Sequence, residues 1–202
     1  MLLRELILFD RDPGVVSAMA DVFSDRPEVT VTQTDLADLP SVDALITPAN
    51  SYGYMDGGFD AAVTALLPGI QTRVREDLAV RFWGYQPVGT SMAVDTGSAR
   101  VKWLLHTPTM RAPGPLGSRD DQVHDAMWAA LLEVRMHNRR GARYTNIRTL
   151  ACPGLGTAIG AVEPRRAAML MRQAYLRGVG SAPAAFSPSA AWAHHHDLTG
   201  RS

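Results

Sequence analysis

The chain has 202 residues, 46% of them apolar and 20% charged, an ordinary composition for a water-soluble protein with one good core. Twenty basic residues balance twenty acidic ones, so a broad electrostatic footprint for nucleic acid is not expected. No apolar run is long enough to span a membrane, the start lacks a signal-peptide layout, and one cysteine, Cys152, cannot form an intrachain disulfide, so the expected setting is the cytoplasm.

The run Leu2–Phe9 is apolar and reads as a strand. Asp12-Pro13 then supplies an N-cap and a proline at the first helical position, with Val15, Met19, Val22 and Phe23 following at helical spacing. Val29–Thr32 alternates as a strand, and Asp43–Thr47 is the next one. Phe59–Leu67 predicts a short helix, and Pro68 opens another running to about Phe82. Ser91–Val94 and Val101–His106 predict two strands, and the Pro- and Gly-rich residues 109–118 a loop. Val123, Met127, Ala130, Leu131 and Val134 mark one face of a long helix. Asn146–Cys152 is a strand, Pro153–Gly160 a glycine-bearing loop, and Glu163-Pro164 opens a last helix to about Arg177. Beyond it the Ala, Pro and Ser content predicts a tail.

Strands alternating with helices predict an α/β fold: a three-layer α/β/α sandwich around a mixed, largely parallel central sheet. Residues 1–180 are expected to form one domain and 181–202 a flexible tail. Ligands in such sheets bind outside the carboxyl ends of the strands.

Two loops follow strands directly. In the first, Val42-Asp43-Ala44-Leu45-Ile46-Thr47-Pro48-Ala49-Asn50 leads through a polar stretch to Asp56-Gly57-Gly58-Phe59-Asp60. Glycine at a helix start leaves backbone N–H groups pointing outward, the helix dipole favours an anion, and the missing side chain lets it come close. The second loop, 153–160, can lie beside the first, and the two can clamp one polyanion. Asn50 and Asp60 would flank the same pocket.

These residues resemble the macrodomain family. Thr47-Pro48-Ala49-Asn50 and Asp56-Gly57-Gly58-Phe59-Asp60-Ala61-Ala62-Val63 are similar to its first signature, roughly Asn-Ala-Ala-Asn, a glycine run, then Val-Asp-Gly-Ala-Ile; Asp60 lies ten residues after Asn50, as in hydrolytic members. Thr34-Asp35-Leu36 resembles its Gly-Asp-Ile, Leu104–Thr107 its Ile-His-Thr strand, and Ala151–Gly160 its second loop. There are two departures: Asp56 stands in place of a glycine, and Ile159-Gly160 replaces the aromatic that many hydrolytic members carry.

The resemblance implies ADP-ribose, free or attached to protein, or an ADP-ribose derivative as ligand, and hydrolysis of a mono-ADP-ribosyl linkage as the activity. It implies that Asp35 and Leu36 hold the adenine, with Asp35 accepting from its amino group. Ala49, Gly57, Gly58 and Phe59 would line the first loop. Pro153, Gly154, Leu155, Gly156, Thr157, Ala158, Ile159 and Gly160 would wrap the diphosphate and distal ribose. Asn50 would hold the distal ribose, and Asp60 would orient or activate a water at its anomeric carbon. The scheme uses no metal and no cofactor. A non-catalytic ADP-ribose reader is the alternative. Each residue also has a plainer reading. Asp60 complements the helix dipole, Asn50 and Asp35 serve turns, and Gly57 and Gly58 serve only the loop.

Other signals are set aside. Leu6-Ile7-Leu8-Phe9-Asp10-Arg11-Asp12 resembles the start of a phospho-acceptor receiver or aspartyl-phosphate phosphatase, but the acceptor aspartate expected at the end of the Asp43–Thr47 strand is missing, and Lys102 is the only lysine. Cys152 is expected to be a buried core thiol. His194-His195-His196 cannot close a metal site alone. Trp83, Trp103 and Trp128 are expected in the core; Phe186 or Trp192 could fold over the adenine.

Overall fold

The computed structural model describes residues 3–140, 146–180 and 187–199. Six strands, β1 (Glu5–Asp10), β2 (Val29–Gln33), β3 (Val42–Thr47), β4 (Met92–Asp95), β5 (Val101–His106) and β6 (Thr149–Pro153), form one sheet. Their order is β2-β1-β6-β3-β5-β4, and only the edge pair β4–β5 is antiparallel. The expected fold class is therefore the observed one.

Alternation along the strands builds two cores. Leu6 and Leu8 of β1, Ala44 and Ile46 of β3 and Leu150 and Cys152 of β6 face one side. There they meet Val15 and Met19 of α1 (Pro13–Val22), Met127 and Leu131 of α4 (Gln122–Arg139) and Leu170 and Ala174 of α5 (Pro164–Val179). Ile7, Phe9, Leu45, Leu104 and Ala151 face the other side. They pack on Val63 of α2 (Gly58–Leu66) and on Ile70, Val74 and Leu78 of α3 (Ile70–Phe82). A strand period of two facing a helical period of 3.6 on each side is the three-layer solution.

Local signals set the helix ends. Asp12 caps α1, accepting from the Gly14 and Val15 N–H groups, which explains its place beside Pro13. Glu163 caps α5 in the same way. The helix expected from Pro68 starts at Ile70, behind Gly69 at φ 82°.

Two expectations change. Trp83 is 95% exposed, not core, because it terminates α3 at φ 55° and this turn throws the indole off the Ile70–Val74–Leu78 stripe; Trp103 and Trp128 do pack against the core. Within the segment read as a tail, Pro188–Thr199 forms α6, with Ser187 Oγ accepting from the Ala190 N–H. Leu198 packs on the larger core, Arg166 donates to the Leu198 carbonyl, and Arg177 meets His194. Leu2, Phe186 and the remaining tail residues 181–185 and 200–202 lie outside the described residues.

Among the described residues, no helix is long and apolar enough to cross a membrane. Cys152 is buried in β6, and burial pushes its thiol far above the usual range, so it serves as core rather than as nucleophile.

Candidate functional site

A cavity of about 320 Å³, a usual size for a small-molecule site, opens at the carboxyl ends of the parallel strands. The segments after β1, β2, β3, β5 and β6 all contribute to its wall. The crevice straddles β6, where the chain that left β1 for β2 has returned on the far side to build β3 and β5.

The first loop begins at Asn50, whose carboxamide organises it. Asn50 Oδ1 accepts from the N–H groups of Tyr52 at 3.1 Å and Tyr54 at 3.4 Å, and Nδ2 donates to the Tyr54 carbonyl at 2.7 Å. One of the two Nδ2 hydrogens takes no partner among the described residues, and Asn50 lines the cavity. The loop ends at Gly57, which caps α2 without any side-chain hydrogen bond. The first N–H bonded inside α2 is that of Ala61, to the Gly57 carbonyl, so those of Gly58, Phe59 and Asp60 are left as orphan donors.

The second loop meets the first across the cavity. A side-chain carbon built on Gly58, at φ 55°, would lie 3.4 Å from Ile159 Cδ1. Asp10 ties this loop to β1, accepting from Asp12 N–H at 3.0 Å and Gly154 N–H at 3.3 Å. Asp35 caps a 3-10 turn at Leu36–Asp38, accepting from the Ala37 N–H, and pairs with exposed Arg11 at 3.5 Å.

The cavity wall brings together Asp35, Leu36, Ala49, Asn50, Gly57, Gly58, Phe59 and Asp60. From the second loop it takes Pro153, Gly154, Gly156, Ala158, Ile159 and Gly160. Leu155 and Thr157 are not in it. Leu155 is buried in the larger core, and the Thr157 hydroxyl donates to the Gly154 carbonyl of its own loop at 3.0 Å. Sequence reasoning missed Asp10, Arg11, Tyr54, Thr109 and Met110, which also line the cavity. Asp10 was detectable, because it ends a parallel strand. Trp192 does not line the cavity.

Electrostatically the cavity is unusual for an anion site. Asp10, Asp35, Asp56 and Asp60 line it, and Arg11 is its one cation among the described residues. An anion held here depends on backbone N–H groups. Lys102 is at the opposite end of the sheet, 2.7 Å from Asp43, and so takes no part. Among the described residues no three His, Cys, Asp or Glu side chains converge on a metal position.

Asp60 sits in the first turn of α2, 8% exposed, and accepts a hydrogen bond from the Thr47 hydroxyl. Burial raises its carboxyl from an ordinary 3.8 to about 6; the Thr47 bond opposes the rise and neighbouring Asp56 adds to it. This carries a cost. An acid whose folded pKa lies above its unfolded one contributes stability below the unfolded pKa and loses it as pH rises through the folded one. For Asp60 the loss falls between about pH 4 and 6 and is on the order of 3 kcal/mol. Asp60→Asn is therefore expected to melt higher than the parent at pH 8 and at the same temperature at pH 4. Parallel melting curves at both values check this, and equal curves at pH 8 would contradict it.

A parallel-sheet α/β protein with a cleft between two glycine loops at its strand ends is the class this fold and site define. The Macro domain family model matches residues 46–171. An Aquifex aeolicus protein is 33% identical over 131 residues, covering 64% of this chain and 70% of its own. An Aeropyrum pernix protein is 30% identical over 155 residues, covering 73% of each. The chain belongs to the macrodomain family.

Solved structures share the fold at lower identity. The macrodomain of Mycobacterium tuberculosis DarG superposes with a TM-score of 0.57 at 21% identity, over 72% of this chain and 88% of that one. The Oceanobacillus iheyensis macrodomain with ADP gives 0.55 at 16%, over 67% and 68%. Thermosipho africanus DarTG in complex with ADP-ribose gives 0.54 at 17%, over 85% of this chain and 50% of that one.

Proposed function

We propose that this cleft binds ADP-ribose and that the chain hydrolyses the bond joining ADP-ribose to an acidic side chain. Solved relatives in complex with ADP and ADP-ribose support the ligand. The observation that carries the reaction is Asp60: a buried carboxylate with a pKa of about 6, in a wall shared with Asn50 and the open start of α2. Such a group is mostly ionised at neutral pH yet basic enough to take a proton, which is what a general base needs.

In this reading Asp35 accepts from the adenine amino group, and the N–H groups of Gly58 and Phe59 and those of the second loop hold the diphosphate. The free Nδ2 hydrogen of Asn50 goes to a distal ribose hydroxyl. A water held by Asp60 attacks the anomeric carbon and gives its proton to the carboxylate. The bond from that carbon to the ester oxygen breaks, and the acidic side chain leaves as its carboxylate. Asp60 then returns the proton to solvent. The lone buried thiol suits a reducing compartment, and we place the protein in the cytoplasm.

The second reading is a reader that binds ADP-ribose without turnover. Asp56 beside Asp60 and an aliphatic Ile159 in the second loop favour it. Calorimetry with ADP-ribose tests both readings at the level of binding. Heat is expected with ADP-ribose and much less with AMP, and none at millimolar ADP-ribose would sink the ligand assignment. Asp35→Ala is expected to weaken binding by about 1–3 kcal/mol. The hypoxanthine analogue, which lacks the amino group, should lose less. Equal losses would show that Asp35 does not read the base.

A further inference from the structure

We propose that Thr47 is the positioning residue for Asp60: its hydroxyl fixes one carboxylate oxygen and leaves Oδ2 to meet the attacking water. The inference rests on the hydrolase reading of the site.

Thr47 is well suited to hold another group still. It ends β3, and Pro48 after it confines its backbone to the extended region. Its carbonyl accepts from both Ala49 N–H at 2.9 Å and Thr107 N–H at 3.1 Å. As a β-branched residue it has few rotamers. It is fully buried, so its hydroxyl needs a partner inside the protein, and that partner is Asp60 Oδ1.

No other group takes this role. Thr47 is the only donor to the Asp60 side chain among the described residues. In the neighbouring strand His106 pairs in register with Thr47 and so faces the same side. It is fully buried, its Nδ1 is engaged by Gln86 Oε1 at 2.7 Å, and burial drives its pKa down to about 3. It is therefore neutral and offers Asp60 no positive charge. Asp56, Asp10 and Asp35 face the cavity with negative charge, and the cavity's cation, Arg11, is paired with Asp35. Among the described residues the Thr47 hydroxyl is thus the one hydrogen bond to the side chain that favours an ionised Asp60, beside the dipole of α2. Without it, burial and Asp56 are opposed only by the helix dipole, the carboxyl loses the bond that fixes its orientation, and less of it is base at pH 7.

Thr47→Val keeps the shape and removes the hydroxyl; Thr47→Ser restores a hydroxyl without the methyl. Carbon-13 titration of the Asp60 carboxyl in ligand-free protein is expected to move up by about 1–2 pH units in Thr47→Val and to return toward the parent in Thr47→Ser. Release of ADP-ribose from a mono-ADP-ribosylated acidic peptide should fall in kcat by about 10–100-fold in Thr47→Val, with the acid limb of its pH profile moved upward. The Kd for ADP-ribose should stay within about twofold. Melting curves check that the variants fold, and Thr47→Ala is the second variant without a hydroxyl. An unmoved Asp60 titration in folded Thr47→Val or Thr47→Ala overturns the proposal whatever the turnover. A moved titration with parental kcat overturns it as well. Parent protein that releases nothing from any linkage overturns the hydrolase reading instead; a moved titration then still upholds Thr47 as the group that sets Asp60.

Discussion

Asp60→Ala is expected to lower kcat for ADP-ribose release by about 10²–10⁴, the usual contribution of a positioned general base. The Kd for ADP-ribose should change little. Asp60 acts on a water and on charge that develops at the anomeric carbon, so its contribution is larger in the transition state than in the ground state. Asn50→Ala should behave differently and damage both quantities. Its carboxamide holds the 52–54 loop through three hydrogen bonds in addition to facing the cavity. The pH profile carries the same information. The base must be ionised, and Asp60 protonates as pH falls through about 6, so the parent's rate should decline below that value. Asp60→Ala should retain a low rate without this limb. Equal rates for parent and Asp60→Ala would remove the catalytic assignment. The expected stability gain of Asp60→Asn belongs to the same picture, because a buried carboxylate kept for chemistry weakens the fold that holds it.

Gly156→Ala is expected to cost about 3 kcal/mol of stability, from strain and overpacking together. Gly156 has φ 73°, where a side chain is strained whatever the space. A carbon added there would also lie 2.7 Å from Val123 Cγ2, 3.3 Å from Val162 Cγ2 and 3.4 Å from Leu116 Cδ1. All three neighbours are buried and cannot swing aside. In a chain of this size the loss corresponds to a Tm drop of about 6–12 °C. ADP-ribose affinity should fall with it, because the second loop must shift to accept the methyl group. Gly57→Ser is the control. Gly57 has φ −139° and open space around it, and serine is a better N-cap than glycine, so Tm should hold or rise slightly. A Gly156→Ala protein that melts with the parent would show that the loop accommodates a side chain there.

The sequence by itself determined the order of strands and helices, the two glycine loops, the cap at Asp12, the start of a helix at Glu163-Pro164, and the family. These are local properties. A strand period of two, a helical period of 3.6, a proline after a capping side chain and a glycine run can each be read within about ten residues. Elements that carry their own caps, such as α1 and α5, fell within a few residues of their expected bounds. Trp83 shows the limit, because its exposure follows from one backbone turn at the end of α3 and not from its place in the pattern.

What only the tertiary structure decided is which side chains face the cavity and in what state. Asp10 enters the wall because β1 lies beside β6, about 140 residues away in the chain. Leu155 and Thr157 sit within a loop of the right sequence, yet the packing of that loop turns one into the core and the other onto its own backbone. α6 is a helix whose docking depends on Arg166, Arg177 and Leu198, contacts that composition does not record. The pKa of Asp60 is the sharpest case. It comes from desolvation by burial, opposed by a hydroxyl thirteen residues earlier and aided by Asp56, and the burial and the hydroxyl contact do not exist until the sheet and α2 come together.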